Sequence, residues 1–308
     1  MKFKTVLGTI LSVTRALNLL IVCITLLLIK YTIIDPILGF SGFKSSIPEN
    51  LYLLLVLSTL FIAAGGYLIN DYFDTGIDTI NKPGKNMIGV TISKKTAIIS
   101  YVFLNLLGLT GAFIFGHLTD TRYTILIFAI SAGLLYFYSA SYKKMFLVGN
   151  IIISLLTSLT IFLSILFDRQ SLQSEPILTL VCAYAVFAFL ISFAREIIKD
   201  CEDAQGDYVF NSNTLPLAIG LQISRKIASL ITLILFISIA YIQIMQSQWE
   251  NLFSFVYVTV FIQIPILILT VRINLSGTSQ QDHTNSTIAK LIMVSGIFSM
   301  MVFYISSQ

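Results

Sequence analysis

Long apolar runs alternate with short polar segments along the whole chain. Nine runs come near the length that crosses ~30 Å of hydrocarbon as a helix. They are Ala16–Ile34, Leu51–Ile69, Ala97–Phe115, Thr124–Tyr138, Val148–Phe167, Ile177–Phe193, Ile227–Met245, Leu252–Val271 and Thr287–Ile305. None shows the two-residue alternation of a membrane strand. The pattern predicts an all-α polytopic membrane protein of nine transmembrane helices, forming one domain over residues 1–308. The longest polar stretches, Asp71–Lys95 and Asp200–Lys226, follow the second and sixth runs. Each begins with a cluster of acids. The matched positions point to two related halves whose clusters face each other across one cavity.

Composition agrees. The 308 residues are 56% hydrophobic and only 11% charged, with mean hydropathy +0.89. A soluble domain would carry about 25% charged residues. The net charge of +4 gives no reason to expect nucleic acid. Cys23, Cys182 and Cys201 are far apart, and two lie in apolar runs, so neither a disulfide framework nor a cysteine metal site is expected. Lys2 and Lys4 precede an apolar stretch that Arg15 interrupts and no small-residue cleavage site follows, so this segment reads as a lead-in to the first span.

Lys and Arg fix the orientation. With the N-terminus inside, nine spans leave only Lys30, Lys44, Arg122 and Arg169 outside, and the other fifteen of the nineteen inside. Both acidic clusters then face the cytosol, and the plasma membrane of a prokaryote is the expected location.

Carboxylates at a membrane boundary are unfavourable unless hydrated, paired or metal-bound. On a helix, with Asn70 at zero, Asp74 falls near ~40°, Asp78 near ~80° and Asp71 near ~100°. In the second cluster Asp200, Asp203 and Asp207 share a stripe, whereas Glu202 points ~200° from Asp200. Such stripes suit Mg²⁺, which takes one or two carboxylates and then bridges to substrate phosphates. Candidate metal ligands are therefore Asn70, Asp71, Asp74, Asp78, Asp200, Asp203 and Asp207, with Asp74, Asp78, Asp200 and Asp207 as the catalytic set. Arg195 and Lys199, one turn apart, together with Lys82, Lys85 and Lys143, are candidates for binding phosphate oxygens. The chemistry points to a membrane enzyme acting on a lipid-like diphosphate. The rival from another class is an ion-coupled transporter, which would place its acids near the bilayer midplane within broken helices.

The segments Asn70-Asp71-Tyr72-Phe73-Asp74-Thr75-Gly76-Ile77-Asp78, with Ile80-Asn81-Lys82-Pro83, and Arg195-Glu196-Ile197-Ile198-Lys199-Asp200 through Gly206-Asp207, resemble the two signatures of the UbiA-type intramembrane prenyltransferases. Asn213-Thr214-Leu215-Pro216 resembles the segment that follows the second. The resemblance covers the whole chain. It implies a nine-helix bundle around a central cavity, capped on the cytosolic side by the 2–3 and 6–7 loops. It also implies Mg²⁺-dependent transfer of a polyprenyl group from its diphosphate. The family's metal and diphosphate positions fall on Asn70, Asp74, Asp78, Asp200, Asp203 and Asp207, and its cationic contacts on Arg195, Lys199 and Lys143. The signatures are most similar to the branch typified by geranylgeranylglycerol-phosphate geranylgeranyltransferases, which implies a prenylated glycerol phosphate as acceptor. The alternative is an aromatic acceptor, a quinone or tetrapyrrole precursor. The chain departs from the family at Gly84-Lys85-Asn86-Met87, where Arg-Pro is usual.

Several other residues carry two readings each. Arg15 and Asn18 are either polar residues at the cavity mouth or interfacial anchors. Gly65 and Gly66 read better as helix-packing positions. Asn150 and Ser154 make a polar stripe on the fifth span. Tyr136, Tyr138 and Tyr142 either line a prenyl channel or belong to an interfacial aromatic belt. His117 and His283 fall in predicted loops.

Overall fold

The computed structural model describes residues 14–81, 87–245 and 252–306. Nine apolar helices organise it, numbered here in chain order. They are α1 (Ala16–Phe40), α2 (Glu49–Phe73), α3 (Lys94–Leu118), α4 (Thr124–Ala140), α5 (Val148–Leu166), α6 (Glu175–Val209), α7 (Leu221–Met245), α8 (Leu252–Leu275) and α9 (Ser279–Ser306). Eight are long and apolar enough to cross a membrane; α4 is the shorter one, as its run predicts. Among the described residues there is no strand, only an isolated bridge between Ile88 and Ile92.

Two helices widen where proline follows. A π-helical turn at Ile29–Ile34 precedes Pro36 in α1, and another at Thr259–Gln263 precedes Pro265 in α8. Proline offers no N–H to the turn before it, and a single wider turn absorbs the mismatch without ending the helix.

The helices form two groups. In one, α2 packs against α3 and α4, with α1 alongside. There Gly65 lets the backbones meet: a Cβ at that position would stand 2.5 Å from Asn105 Nδ2. In the other, α6, α7, α8 and α9 pack around Ile191, Ile197, Leu235, Leu269 and Ile292. The helix pair α5–α6 joins the groups through Ile161, Ile165, Ile177 and Val181. Between the groups lies a cavity of about 330 Å³. Its walls come from α1, α2, α4, α5, α6 and α9, while α3, α7 and α8 contribute no lining residue.

The buried carboxylates Asp168 and Asp282 are held by polar partners. The Asp168 carboxylate, between α5 and α6, accepts from the Ser46 amide (2.9 Å), the Ser46 hydroxyl (2.5 Å) and the Ser171 hydroxyl (2.6 Å). Burial alone would raise its pKa; the serine hydrogen bonds overcome that and hold it below the ordinary carboxylate value. Arg225 of α7 meets Asp282 of α9 through two bonds, Nε to Oδ1 at 3.1 Å and Nη2 to Oδ2 at 2.6 Å. Asp282 is 0% exposed.

Removing one partner of a buried pair leaves a charge uncompensated, a loss of about 3–5 kcal/mol. Asp282→Ala should therefore lower the midpoint of thermal unfolding in detergent sharply, whereas the double change Arg225→Met with Asp282→Leu should recover much of it. A single variant as stable as the wild type would contradict this reading.

Candidate active site

The two acidic segments meet at one end of the bundle, around a small polar pocket of about 60 Å³. Asn70, Asp74, Asp78 and Asn81 line it from one side, and Asp200, Asp203 and Asp207 from the other. Lys143, Lys144, Lys199, Arg15, Tyr138 and Ile77 complete the wall. The pocket continues into the large cavity: Arg15, Asn70, Tyr138 and Lys199 line both.

The helical wheel holds for one segment and fails for the other. Helix α6 runs unbroken for 35 residues, well past its apolar part. The stripe Asp200, Asp203 and Asp207 therefore lies on one helix face, as its spacing predicts. By contrast α2 ends at Phe73, with Asp74 as its C-cap (φ −81°, ψ −3°). A turn through Gly76 then leads to a single helical turn, Asp78–Asn81. Asp78 reaches the pocket from beyond this turn, in which its amide donates to the Asp74 carbonyl (2.9 Å), and not as part of α2.

Asn81 ties the two segments together. Its Nδ2 donates to the Asp203 carbonyl (3.1 Å), and its Oδ1 accepts from the Gly206 amide (2.9 Å). Gly206 is required there, since a Cβ on it would run into the Asn81 amide. The Asn213 amide donates to the Lys144 carbonyl (2.7 Å), which anchors the turn after α4 to the end of the second segment.

Each carboxylate set has a polar escort. The Lys143 ammonium pairs with Asp74 and lies 3.4 Å from Asn70 Oδ1, while Asn70 Nδ2 donates to Asp74 (2.8 Å). Burial lowers the Lys143 pKa below the ordinary lysine value, and Asp74 only partly opposes this. Asn150 of α5 donates to Asp200 (2.7 Å), so one end of its predicted polar stripe faces the pocket. Asp71 is not among the lining residues: its carboxylate is 2.7 Å from Arg15 Nη2. Arg195 lines the large cavity rather than the small pocket and pairs with Glu196 (2.6 Å). Lys82 and Lys85, with the Gly84-Lys85-Asn86 departure, lie outside the described residues.

Glu202 points away, as its spacing predicts, and meets His283 Nδ1 at 2.7 Å. His283 lies in α9 and not in a loop; the polar start of that helix, Ser279–Ser286, hid its true beginning. Asn81 and Glu196 carry site contacts that the sequence reading does not single out, while Arg15 lines the cavity mouth, one of its two readings. The available signals were an arginine interrupting an apolar run, and polar residues inside the two signatures.

The donor chemistry fits Mg²⁺. Five carboxylates and an amide oxygen line one pocket, and an ammonium group already sits against the first of them. Among the described residues no three carboxylate, imidazole or thiol groups stand as a ready-made metal cage. Mg²⁺ does not need one, because it keeps water and takes phosphate oxygens to complete its shell.

Comparison with known proteins agrees with this geometry. The model of the UbiA prenyltransferase family matches residues 36–291. Digeranylgeranylglyceryl phosphate synthase of Methanothermobacter thermautotrophicus is 33% identical over 247 residues, covering 78% of this chain and 80% of that protein. The protein of the same name from Saccharolobus solfataricus is 29% identical over 254 residues, covering 81% and 83%. A solved structure concerned with digeranylgeranylglyceryl phosphate synthase in membranes superposes with a TM-score of 0.65 at 25% identity, covering 97% of this chain and 98% of that one. A UbiA homologue from Archaeoglobus fulgidus, solved with GPP and Mg²⁺, shares the fold with a TM-score of 0.59 at 18% identity, covering 95% and 99%.

Asn81→Ala should separate geometry from stability. It deletes two neutral hydrogen bonds, worth about 1 kcal/mol each, but frees the two carboxylate sets from one another. Misplacement of ~1 Å at a reacting centre lowers rate about 10²-fold. Turnover should therefore fall by that order while the unfolding midpoint moves little; unchanged turnover would show that Asn81 does not hold the site together.

Proposed function

Because the chain belongs to the UbiA prenyltransferase family, we propose that it transfers a geranylgeranyl group from its diphosphate to the free hydroxyl of geranylgeranylglycerol phosphate, with Mg²⁺. It is an integral, multi-pass membrane prenyltransferase. The observation that carries the reading is the junction of a small acidic pocket with a large apolar cavity. A prenyl diphosphate has the matching form, a charged head on an apolar tail. From Lys199 to Tyr184 the cavity wall on α6 spans ~22 Å of helix. Four isoprene units at about 5 Å each, from ordinary bond lengths, need a similar depth.

We place the pocket at the cytosolic end of nine spans, a reading the distribution of Lys and Arg supports. All of α4 then crosses the bilayer, and the two acidic segments, joined by Asn81, form a cap over the cavity. The whole chain works as one domain in the plasma membrane of a prokaryote.

In this reading Asn70, Asp74 and Asp78 hold Mg²⁺ from one side, and Asp200, Asp203 and Asp207 from the other. When bound, the metal draws charge off the departing diphosphate. Lys143 releases Asp74 and donates to a phosphate oxygen, and Lys199 does the same from α6. The C1–O bond of the donor breaks and its electron pair leaves with the diphosphate. The acceptor hydroxyl oxygen bonds to C1, and its proton passes to the diphosphate. The apolar walls keep water from C1 and so suppress hydrolysis.

Two outcomes test the proposal. Chelation of divalent metal should abolish turnover. Asp74→Ala and Asp207→Ala should each reduce kcat by about 10²-fold or more, as loss of a group that stabilises transition-state charge does. Glu202→Ala should change it little. Full turnover in excess chelator would contradict the metal role.

The acceptor is tested by competition. With radiolabelled geranylgeranyl diphosphate, geranylgeranylglycerol phosphate should outcompete a panel of neutral quinone and tetrapyrrole precursors. Faster labelling of an aromatic acceptor would replace the glycerol phosphate reading.

A further inference from the structure

The large cavity has a second polar region that the metal and diphosphate do not use. Arg15, Asn18, Tyr67, Arg195, Glu196 and Lys290 line it where α1, α2, α6 and α9 come together. Of these, only Arg15 also borders the acidic pocket.

The charges here do not balance. Arg15 pairs with Asp71, and Arg195 with Glu196. Lys290 adds a third cation to the same wall. Lys290 Nζ donates to the neutral amide oxygen of Asn18 (2.6 Å). Among the described residues lining this second region, three cations therefore face two carboxylates, which leaves one positive charge over. A surplus of like charge beside hydrocarbon is unfavourable unless something neutralises it. Arg195 Nε supplies a second sign: it is a buried donor with no hydrogen-bond partner among the described residues. An unmade bond from a charged donor is rare in a settled interior.

The arrangement is also held in place. Arg15 takes a left-handed backbone conformation (φ 49°, ψ 55°), uncommon for any residue but glycine. Its guanidinium lies over the Tyr67 ring at 5.2 Å. Strain of this kind persists where the surroundings impose it.

We propose that Arg15, Arg195, Lys290 and the Asn18 amide form the site for the phosphate of the acceptor, a phosphate monoester on a prenylated alcohol. Such a group carries about −1.5 to −2 charges at neutral pH and several strong acceptor oxygens, which supply the anion that Lys290 lacks and the acceptor that Arg195 Nε lacks. Arg195 and Lys199 are one turn apart on α6, ~6 Å along its axis. That separation lets one molecule rest its phosphate on Arg195 and present a nearby hydroxyl to a donor carbon held beside Lys199. The site rests on the proposed function only for the identity of the acceptor.

The test uses the full-length protein in nanodiscs and a probe that cannot turn over, geranylgeranylglycerol phosphate with its free hydroxyl methylated. Binding is measured without Mg²⁺ or donor. The wild type should bind this probe and should bind its dephosphorylated form at least tenfold more weakly. Lys290→Gln should lose that preference, and Lys290→Arg should keep most of it, which shows that charge rather than folding is at stake. In turnover, Lys290→Gln should raise the KM for the acceptor about tenfold or more while the KM for the donor moves less than about twofold. No preference for the phosphate in the wild type, an unchanged preference in Lys290→Gln, or an equal rise in both KM values would each overturn the site. A wild type that binds the phosphate probe but prenylates only aromatic acceptors would overturn the acceptor reading and leave the site standing. Protection of the probe's binding by inorganic phosphate or by dioleoyl phosphatidic acid vesicles separates the headgroup from its lipid: competition by both supports the site, and competition by neither overturns it.

Discussion

Five carboxylates share one small pocket at the end of a bundle whose sides are built for hydrocarbon. Like charges this close repel strongly where water is scarce, and the surrounding structure is arranged around that repulsion. Lys143 sits on Asp74, Asn150 donates to Asp200, and Arg15 holds Asp71 apart from the rest. Asn81 joins the two acidic segments with a neutral amide, which adds no charge of its own. The pocket holds its acids in place but leaves them short of positive charge, which is the condition that divalent cations can satisfy.

Helix α6 makes the arrangement possible. It runs from the apolar core to the polar end without a break and presents, in order, Tyr184, Ser192, Arg195, Lys199 and then the acidic stripe. One rigid element thus sets the distance between the apolar cavity, the basic wall and the acidic pocket. The two polar regions differ in sign, yet they meet at Arg15 and Lys199. A donor head can be drawn to one region and an acceptor head to the other, while their reacting atoms meet between them.

Much of this was legible in the sequence. Each of the nine apolar runs falls within a helix, save Phe167 at the end of the fifth, because hydropathy over twenty residues is insensitive to local detail. The stripe Asp200, Asp203 and Asp207 was legible for the same reason that it is rigid: nothing from Phe193 to Val209 breaks the helix. The first cluster was read less well. Its carboxylates Asp74 and Asp78 meet at the pocket, but across a turn after Phe73 that a continuous wheel does not represent. Pairings between distant helices were not legible at all. Arg225 with Asp282, and Lys290 with Asn18, depend on which helices are neighbours, and single-sequence periodicity carries no such information. Sequence places Arg15 either at the cavity mouth or at the interface, but does not reveal its partner Asp71, whose spacing groups it with the metal ligands.

The central claim is that the two carboxylate sets act on one metal–diphosphate unit. Mn²⁺ in place of Mg²⁺ makes this visible by electron paramagnetic resonance. Purified protein in nanodiscs is titrated with Mn²⁺, with and without a non-cleavable geranylgeranyl thiolodiphosphate. The account expects weak binding of Mn²⁺ alone and at least tenfold tighter binding with the analogue. That gain should vanish in Asp74→Asn and equally in Asp207→Asn. Tight binding of Mn²⁺ without the analogue, or a gain that survives loss of either carboxylate, would contradict it.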